Sequence, residues 1–509
     1  MPFAEIVLST SETSYAIHME TAAGKLRKIA PTLYTPNMVD PPASIIKRNL
    51  WRVVGLYCPR AIITDRTGIE SRPADDGSVF VVHDRKTNVV LPGLRIRPRR
   101  GPGPTAADRH FIGTLYMAAP GRLLLENLRL SRARSGVSRT LKREELEAYL
   151  ERMLRRQGAD ALNRLRDEAR QLAPVLSLDK EMQQLDRLIG ALLGTQDDPK
   201  VSAPTALARL AGRPYDPSRV EIFETLRAEL ATQAPELRLE RRLEPAGADN
   251  LAFFEAYFSN YIEGTEFEID EAVDIVFNNV LPASRPEDAH DVLGTFRIAS
   301  DPTEMRQTPQ TFEMFLALLK RRHAAIMEQR PEKAPGQFKD IVNRVGQRYF
   351  VAPDLVVGTL AQGFDMCRSL VGAFERAAFV MFLIAEVHPF RDGNGRVARA
   401  MMNAELVAAG EQRILIPIVY RDNYLAALRA LTNDGYATPY LRMLDFAQRY
   451  ARAIPWDSFE QARRVLTATN AFMRPDEADD QGARLRMPTA AQLQDAADAF
   501  PAGPAATSR

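Results

Sequence analysis

His388-Pro389-Phe390-Arg391-Asp392-Gly393-Asn394-Gly395-Arg396-Val397-Ala398-Arg399 is the stretch whose reading decides the fold of this chain. These twelve consecutive positions hold an imidazole, a carboxylate, a Gly-Asn-Gly turn and two arginines three apart. Polar groups this dense, set between apolar runs, are costly to hold near a core unless they bind something.

The flanks place the stretch. Residues 374–387 (FERAAFVMFLIAEV) are apolar nearly all round, which predicts a buried helix. The run is too short to span a bilayer and carries Glu375, Arg376 and Glu386. Pro389 is expected to end it, because proline brings no amide donor and clashes with the preceding turn. Residues 396–409 (RVARAMMNAELVAA) favour a second helix, with Gly410 as its cap. The glycines therefore fall at a helix N-terminus, where unpaired amides and the helix dipole attract an anion.

Chemistry suggests the anion. Gly393 and Gly395 can turn their amides toward phosphate oxygens, with Asn394 in the left-handed conformation between them. Arg396 and Arg399 share a helical face, where planar guanidinium forks grip phosphates. Asp392 is a hard oxygen ligand suited to Mg²⁺ bridging such phosphates. His388 can take a proton from an incoming hydroxyl near neutral pH. A solvated loop with a capping aspartate would explain any one of these groups, though not the whole string.

At this point the sequence resembles a known family. HPFRDGNGRVAR matches the Fic signature, HPFx(D/E)GNGRxxR, at every specified position. The resemblance implies a mainly helical domain that transfers AMP from ATP onto a Ser, Thr or Tyr hydroxyl of another protein. By the same resemblance His388 would deprotonate that hydroxyl and Asp392 would hold Mg²⁺. Gly393, Asn394 and Gly395 would cradle the α- and β-phosphates. Arg396 would contact the phosphates, Arg399 would hold the γ-phosphate, and Phe390 would lock the loop into the core.

Residues 251–262 (LAFFEAYFSNYI) place Leu251, Phe254, Phe258 and Ile262 at helical spacing. Ser259 and Glu263 then share a face, and Gly264 closes the helix. The string from Ser259 to Gly264 resembles the Fic inhibitory motif, (S/T)xxxE(G/N). That likeness implies a pair between Glu263 and Arg399, which would deny the γ-phosphate its arginine. An amphipathic helix that merely ends in Glu-Gly reads the same six residues without inhibition.

Residues 335–352 look like a turn-bounded hairpin and resemble the Fic flap, which clamps a target protein by strand addition at about 340–352. Tyr424 and Asn433 lie where Fic proteins often contribute adenine contacts, although Tyr424 reads equally well as core.

Composition sets the bounds. The chain has 509 residues, 45% hydrophobic and 26% charged, with a formal net charge of +2, as in a soluble protein of several domains. Two cysteines, Cys58 and Cys367, are too few for a disulfide framework and fit a reducing cytoplasm. Neither a secretory signal nor a membrane contact is expected. Of six histidines, only His388 falls in a chemical cluster, and no Cys/His spacing suggests structural zinc.

Residues 1–170 read as an α+β module, with strand-like runs at 51–56, 61–64, 79–83 and 88–91. Through GKLRKIAPTLYT and NVVLPGLRIRPRRGPGP it resembles the winged-helix antitoxins of abortive-infection systems. Residues 91–140 hold ten arginines against Asp108 and Glu126, a stretch that could meet DNA phosphates or an acidic partner, or simply be solvated. Helices are expected over 171–245, the catalytic region over 246–455, and a helix followed by a disordered tail over 456–509.

The fold expected is mainly α: a helical Fic bundle with a β-hairpin flap behind an α+β, winged-helix-like module. The function expected is adenylyl transfer from Mg-ATP to a protein hydroxyl, held off by Glu263. Three alternatives stay open: another nucleotide donor, a hydrolase that removes AMP, and a DNA-binding regulator of toxin–antitoxin type. Homo-oligomerisation stays open as well.

Overall fold

A computed structural model describes residues 4–131, 136–232, 236–345 and 348–500. The chain divides into two compact units, Met1–Gly212 and Arg213–Arg509.

The first unit is α+β, as its texture suggested. Strands β1 (Val7–Leu8), β2 (Arg27–Ala30) and β3 (Leu33–Thr35) form a small sheet in the order β1-β3-β2. A second sheet uses β4 (Ile62–Ile63), β5 (Ser78–Val82), β6 (Val89–Leu91), β7 (Leu94–Arg99), β8 (Arg109–His110) and β9 (Tyr116–Met117). Its order is β6-β7-β5-β4-β9-β8; β5 runs parallel to β7 and β4 to β9, and the other pairs are antiparallel. All five residues of β5 are buried. That suits a continuous apolar run in mid-sheet.

Residues 51–56, read as a strand, belong to a helix, Leu50–Tyr57. Val53 and Val54 are both fully buried, while Arg52 is exposed. Consecutive strand residues point to opposite faces, so the two valines can share one buried stripe only in a helix.

The arginine-rich stretch is largely neutralised from within. Arg122 is fully buried and bonds Asp108 at 2.7 Å and Glu126 at 3.1 Å. Arg99 bonds Asp65 at 2.7 Å and Glu126 at 2.9 Å, and Arg139 bonds Asp65 at 2.5 Å. Arg97 and Arg95 face Asp76 at 3.1 and 4.0 Å. Burial forces a charge to find a partner, so Arg99, Arg122 and Arg139 are committed, while Arg100, Arg109 and Arg129 are exposed; the DNA contact considered for this stretch finds no support. Arg132 and Arg134 lie outside the described residues.

The second unit is helical. Its site-bearing helices are α1 (Pro217–Thr232), α2 (Pro245–Ile262), α3 (Pro286–Ser300), α4 (Phe312–Ile326), α5 (Val356–Arg368), α6 (Ala373–Val387), α7 (Asn394–Ala408), α8 (Arg421–Asp434) and α9 (Thr438–Ala453). Phe379, Phe382 and Leu383 on α6 meet Ala398 and Met402 on α7 in one core, all fully buried. A second core surrounds α2 through Phe253, Phe254, Phe258 and Trp456. Residues 250–262 of α2 are buried without exception. Its polar positions are therefore spent inward: Glu255 accepts from Asn403 of α7 at 2.8 Å and from Arg413 at 3.0 Å.

The hairpin is present. Strand β10 (Arg344–Val345) pairs with β11 (Arg348–Tyr349), with Arg344 opposite Tyr349 and Val345 opposite Arg348. Beyond residue 474, where composition suggested disorder, the structure describes helices Pro475–Gln481 and Ala490–Ala499, and Ala496 is fully buried. Among the described residues no helix is long and apolar enough to cross a membrane.

Candidate active site

Helix α6 ends at Val387, with His388 as its cap directly before Pro389. His388 takes φ 53° and ψ 60°, while its amide still bonds Ile384 O at 2.9 Å. A residue before proline is barred from the α conformation, so the chain leaves the helix at His388 through the left-handed region. The imidazole is thereby thrown out of the helix at the loop's mouth. Phe390 follows, fully buried.

Asn394 is not left-handed. It begins α7, and the left-handed residue is its N-cap, Gly393, at φ 71°. The Asn394 side chain turns back instead: Oδ1 accepts from Phe390 N at 2.8 Å and Nδ2 donates to Phe390 O at 3.0 Å. These two bonds staple the loop, a use of Asn that its sequence position did not reveal.

The anion cradle forms at Gly395. A Cβ on that residue would lie 2.0 Å from Glu263 Oε1 and 3.0 Å from Arg399 Nη1. The missing side chain is thus the space that the Glu263 carboxylate occupies, over the start of α7. Arg399 Nη2 donates to that same Oε1 at 2.8 Å. Ser259 holds the guanidinium in place: Nε donates to its Oγ at 2.9 Å and Nη2 to its carbonyl at 2.8 Å. Gly264, at φ 90°, turns the chain away directly after Glu263. Arg399 is buried, and besides Glu263 and Ser259 its guanidinium is bonded by the Tyr424 side chain.

The two signature arginines face different partners. Arg396 Nη1 donates to Asp291 Oδ2 at 2.5 Å and to Asn260 Oδ1 at 3.4 Å, and its guanidinium is 3.8 Å from Asp392. Asp291, on α3, also takes Arg330 Nε at 2.8 Å. Burial pushes the Asp291 carboxyl up, against the pull of Arg396 and Arg330. Nothing in the sequence marked Asp291, because its role comes from the packing of α3 against α7.

His388 is half-buried. Phe350 stacks on the ring with centroids 4.0 Å apart. Burial, followed by the like charge of Lys339, pushes the imidazole pKa down to about 4. Lys339 is itself buried, with Nζ 3.4 Å from Val387 O, and burial lowers its pKa to about 7. Asp392 sits at the solvent edge with a side chain 40% exposed, and its Oδ1 accepts from Gly393 N at 2.7 Å. Among the described residues no three His, Cys, Asp or Glu side chains converge to hold a metal alone. A lone exposed carboxylate does fit Mg²⁺ that arrives with phosphates, since Mg²⁺ takes one or two carboxylates and keeps its waters.

A second histidine belongs to this site. His323, on α4, is fully buried and lies flat on Phe390, with centroids 3.7 Å apart and planes at 3°. Burial lowers its pKa to about 4. Only the fold brings it to the loop, from far upstream in the chain. Of the base-contact candidates, Tyr424 is buried with its ring 5.9 Å beneath the Arg399 guanidinium, and Asn433 is exposed near the end of α8.

Residues 314–406 match the model of the Fic/DOC family. Relatives are called protein adenylyltransferases. One is fic-1 of Caenorhabditis briggsae, 25% identical over 37% of this chain and 38% of its own length. Another is Fic of Drosophila persimilis, 30% identical over 22% of each chain. The chain thus spans about a fifth to two fifths of the curated relatives it matches. A solved Fic-1 segment from C. elegans gives a TM-score of 0.34 at 19% identity, covering 66% of this chain and 96% of that one.

Proposed function

We propose that residues 246–455 transfer AMP from Mg-ATP to a hydroxyl of a target protein and are held off by Glu263. The observation that carries this reading is the carboxylate of Glu263 lying in the Gly395 cradle against Arg399. An anion already sits where a helix N-terminus and a buried guanidinium favour one. The match to the Fic/DOC model and the names of the relatives support the chemistry.

In the proposed step the target hydroxyl oxygen bonds the α-phosphorus as the bond to the β-phosphate oxygen breaks. Pyrophosphate leaves, and the hydroxyl proton passes to a ring nitrogen of His388. Burial and Lys339 keep that imidazole in its neutral, proton-accepting form at neutral pH, though as a weaker base. Gly395 leaves room for a phosphate oxygen at the start of α7 once the Glu263 carboxylate departs, and Arg399 would take the terminal phosphate. Asp392 would hold Mg²⁺, which when bound neutralises phosphate charge. Ile341, Val345 and Tyr349 are exposed along the hairpin, and a target segment docked by strand addition at 340–352 would meet them. Cys58 and Cys367 are free and buried, which supports a reducing, cytoplasmic setting.

The test is Glu263→Gly incubated with α-labelled ATP. Losing a charge-assisted bond worth about 1.5–3 kcal/mol predicts a rise in labelling of roughly tenfold or more. Unchanged labelling would overturn the inhibitory role of Glu263. Absence of label from every nucleotide tried, in the presence of host lysate, would overturn the transferase reading itself.

A further inference from the structure

His323 is the one buried imidazole at the site that the proposed chemistry does not use. Both of its ring nitrogens are committed. Nδ1 receives the Gly336 amide at 2.9 Å. An amide N–H can only donate, so Nδ1 must offer its lone pair and the proton must sit on Nε2. Nε2 lies 2.9 Å from the carbonyl oxygen of Asp392, to which it therefore donates. The ring is locked as a single neutral tautomer, with a donor at one end and an acceptor at the other.

What it joins is specific. Gly336 opens the segment that leads into the hairpin, and Asp392 is the carboxylate proposed for Mg²⁺. The remaining contacts sew the same two segments together. Lys339 N donates to Pro389 O at 2.9 Å, and Asn343 Nδ2 donates to Phe390 O at 2.9 Å and to Arg391 O at 3.1 Å. Phe338 lies against Phe390 with centroids 5.3 Å apart. The fit at Gly393 is equally close, for a Cβ there would stand 2.7 Å from Met327 Sδ and 3.3 Å from His323 Nε2.

We propose that His323 is a positioning residue: it holds the Asp392 carbonyl from one nitrogen and the Gly336 amide from the other. It thereby aims the Asp392 carboxylate at the nucleotide and fixes it relative to the entry of the hairpin. This rests on the adenylyl-transfer reading for the nucleotide, but the loop geometry stands without it. A histidine that merely fills the core would contribute shape alone.

Three substitutions separate these roles, made in the full chain carrying Glu263→Gly so that the cradle is open. His323→Asn offers an acceptor near the place of Nδ1 and no donor to Asp392. His323→Gln offers a donor near the place of Nε2. His323→Phe keeps the ring on Phe390 and neither bond. ATP affinity is measured by calorimetry with and without Mg²⁺, and amide hydrogen exchange is read over 390–393.

For Asn and Phe we expect the Mg²⁺-dependent gain in ATP affinity to fall about tenfold, the worth of one such hydrogen bond, and loop exchange to quicken. Gln should stay within about threefold of the parent. Parent-like Mg²⁺ dependence and loop exchange in all three would overturn the proposal, as would equal losses in Asn and Gln. Should the polar variants fail to fold, His323→Phe with parent-like values alone overturns it. If the Glu263→Gly parent binds no ATP, the transfer reading falls and the exchange pattern judges His323 by itself.

Discussion

At the residue scale, the loop shows how far side-chain chemistry can be read without a fold. His388, Asp392 and Arg399 were legible because their chemistry is local to the signature. Asn394 was misjudged in conformation because its partner, the Phe390 backbone, exists only once the turn has formed. His323 and Asp291 were missed because their contacts come from α4 and α3, which no spacing in the sequence ties to the loop. The pKa of His388 yields a test of sign. The folded value, about 4, lies below the ordinary 6.5, so the neutral form persists to lower pH. Transfer by the Glu263→Gly chain should therefore stay flat from neutrality to about pH 5 and fall only near 4. The same shift makes the fold acid-labile: stability present above 6.5 is lost as pH drops toward 4, because the unfolded chain takes up the proton first. An acid limb centred near 6.5 would contradict that shift.

At the scale of elements, the two helices around the loop were legible from periodicity, and their observed ends fall within about two residues of the expected ones. The hairpin was legible as a turn-bounded β segment, but not its anchor. That anchor is Glu386 of α6, almost fully buried, which receives Arg348 of β11, Arg219 of α1 and Thr432 of α8. Arg219 also donates to Tyr349 O at 2.8 Å, so the carboxylate fixes the second strand through both arginines. Glu386→Gln is expected to leave ATP binding within about twofold of the parent while cutting transfer to a protein target at least tenfold, roughly the loss of one or two charge-assisted bonds. Parallel kinetics of binding and transfer would check it; equal losses in both would remove the hairpin from the argument.

At the scale of the whole molecule, local composition misled where burial intervened. The arginine-rich stretch looked like a surface for an anionic partner, yet Arg122 lies fully buried between Asp108 and Glu126. A run of residues reveals its own charges but not the acids folded against them, such as Asp65 and Asp76. Taking Arg122 away would leave buried Asp108 without a cation and Glu126 with Arg99 alone, a loss of about 3–5 kcal/mol. Arg122→Met in the 1–212 fragment should therefore lower the urea midpoint clearly, and an unchanged midpoint would show the network to be dispensable.

The space above Gly395 has one further consequence. The carboxylate of Glu263 and a phosphate oxygen would contend for a volume the size of a single atom, so the proposed brake acts by mass action rather than by a shut door. If the Glu263 pairing is worth about 2 kcal/mol, the cradle stands vacant roughly 3% of the time, and the apparent nucleotide affinity is weakened by that same fraction. Any activator that favours the vacant state can then raise occupancy by at most about thirtyfold. It could do so by pulling on the end of α2, without touching the nucleotide.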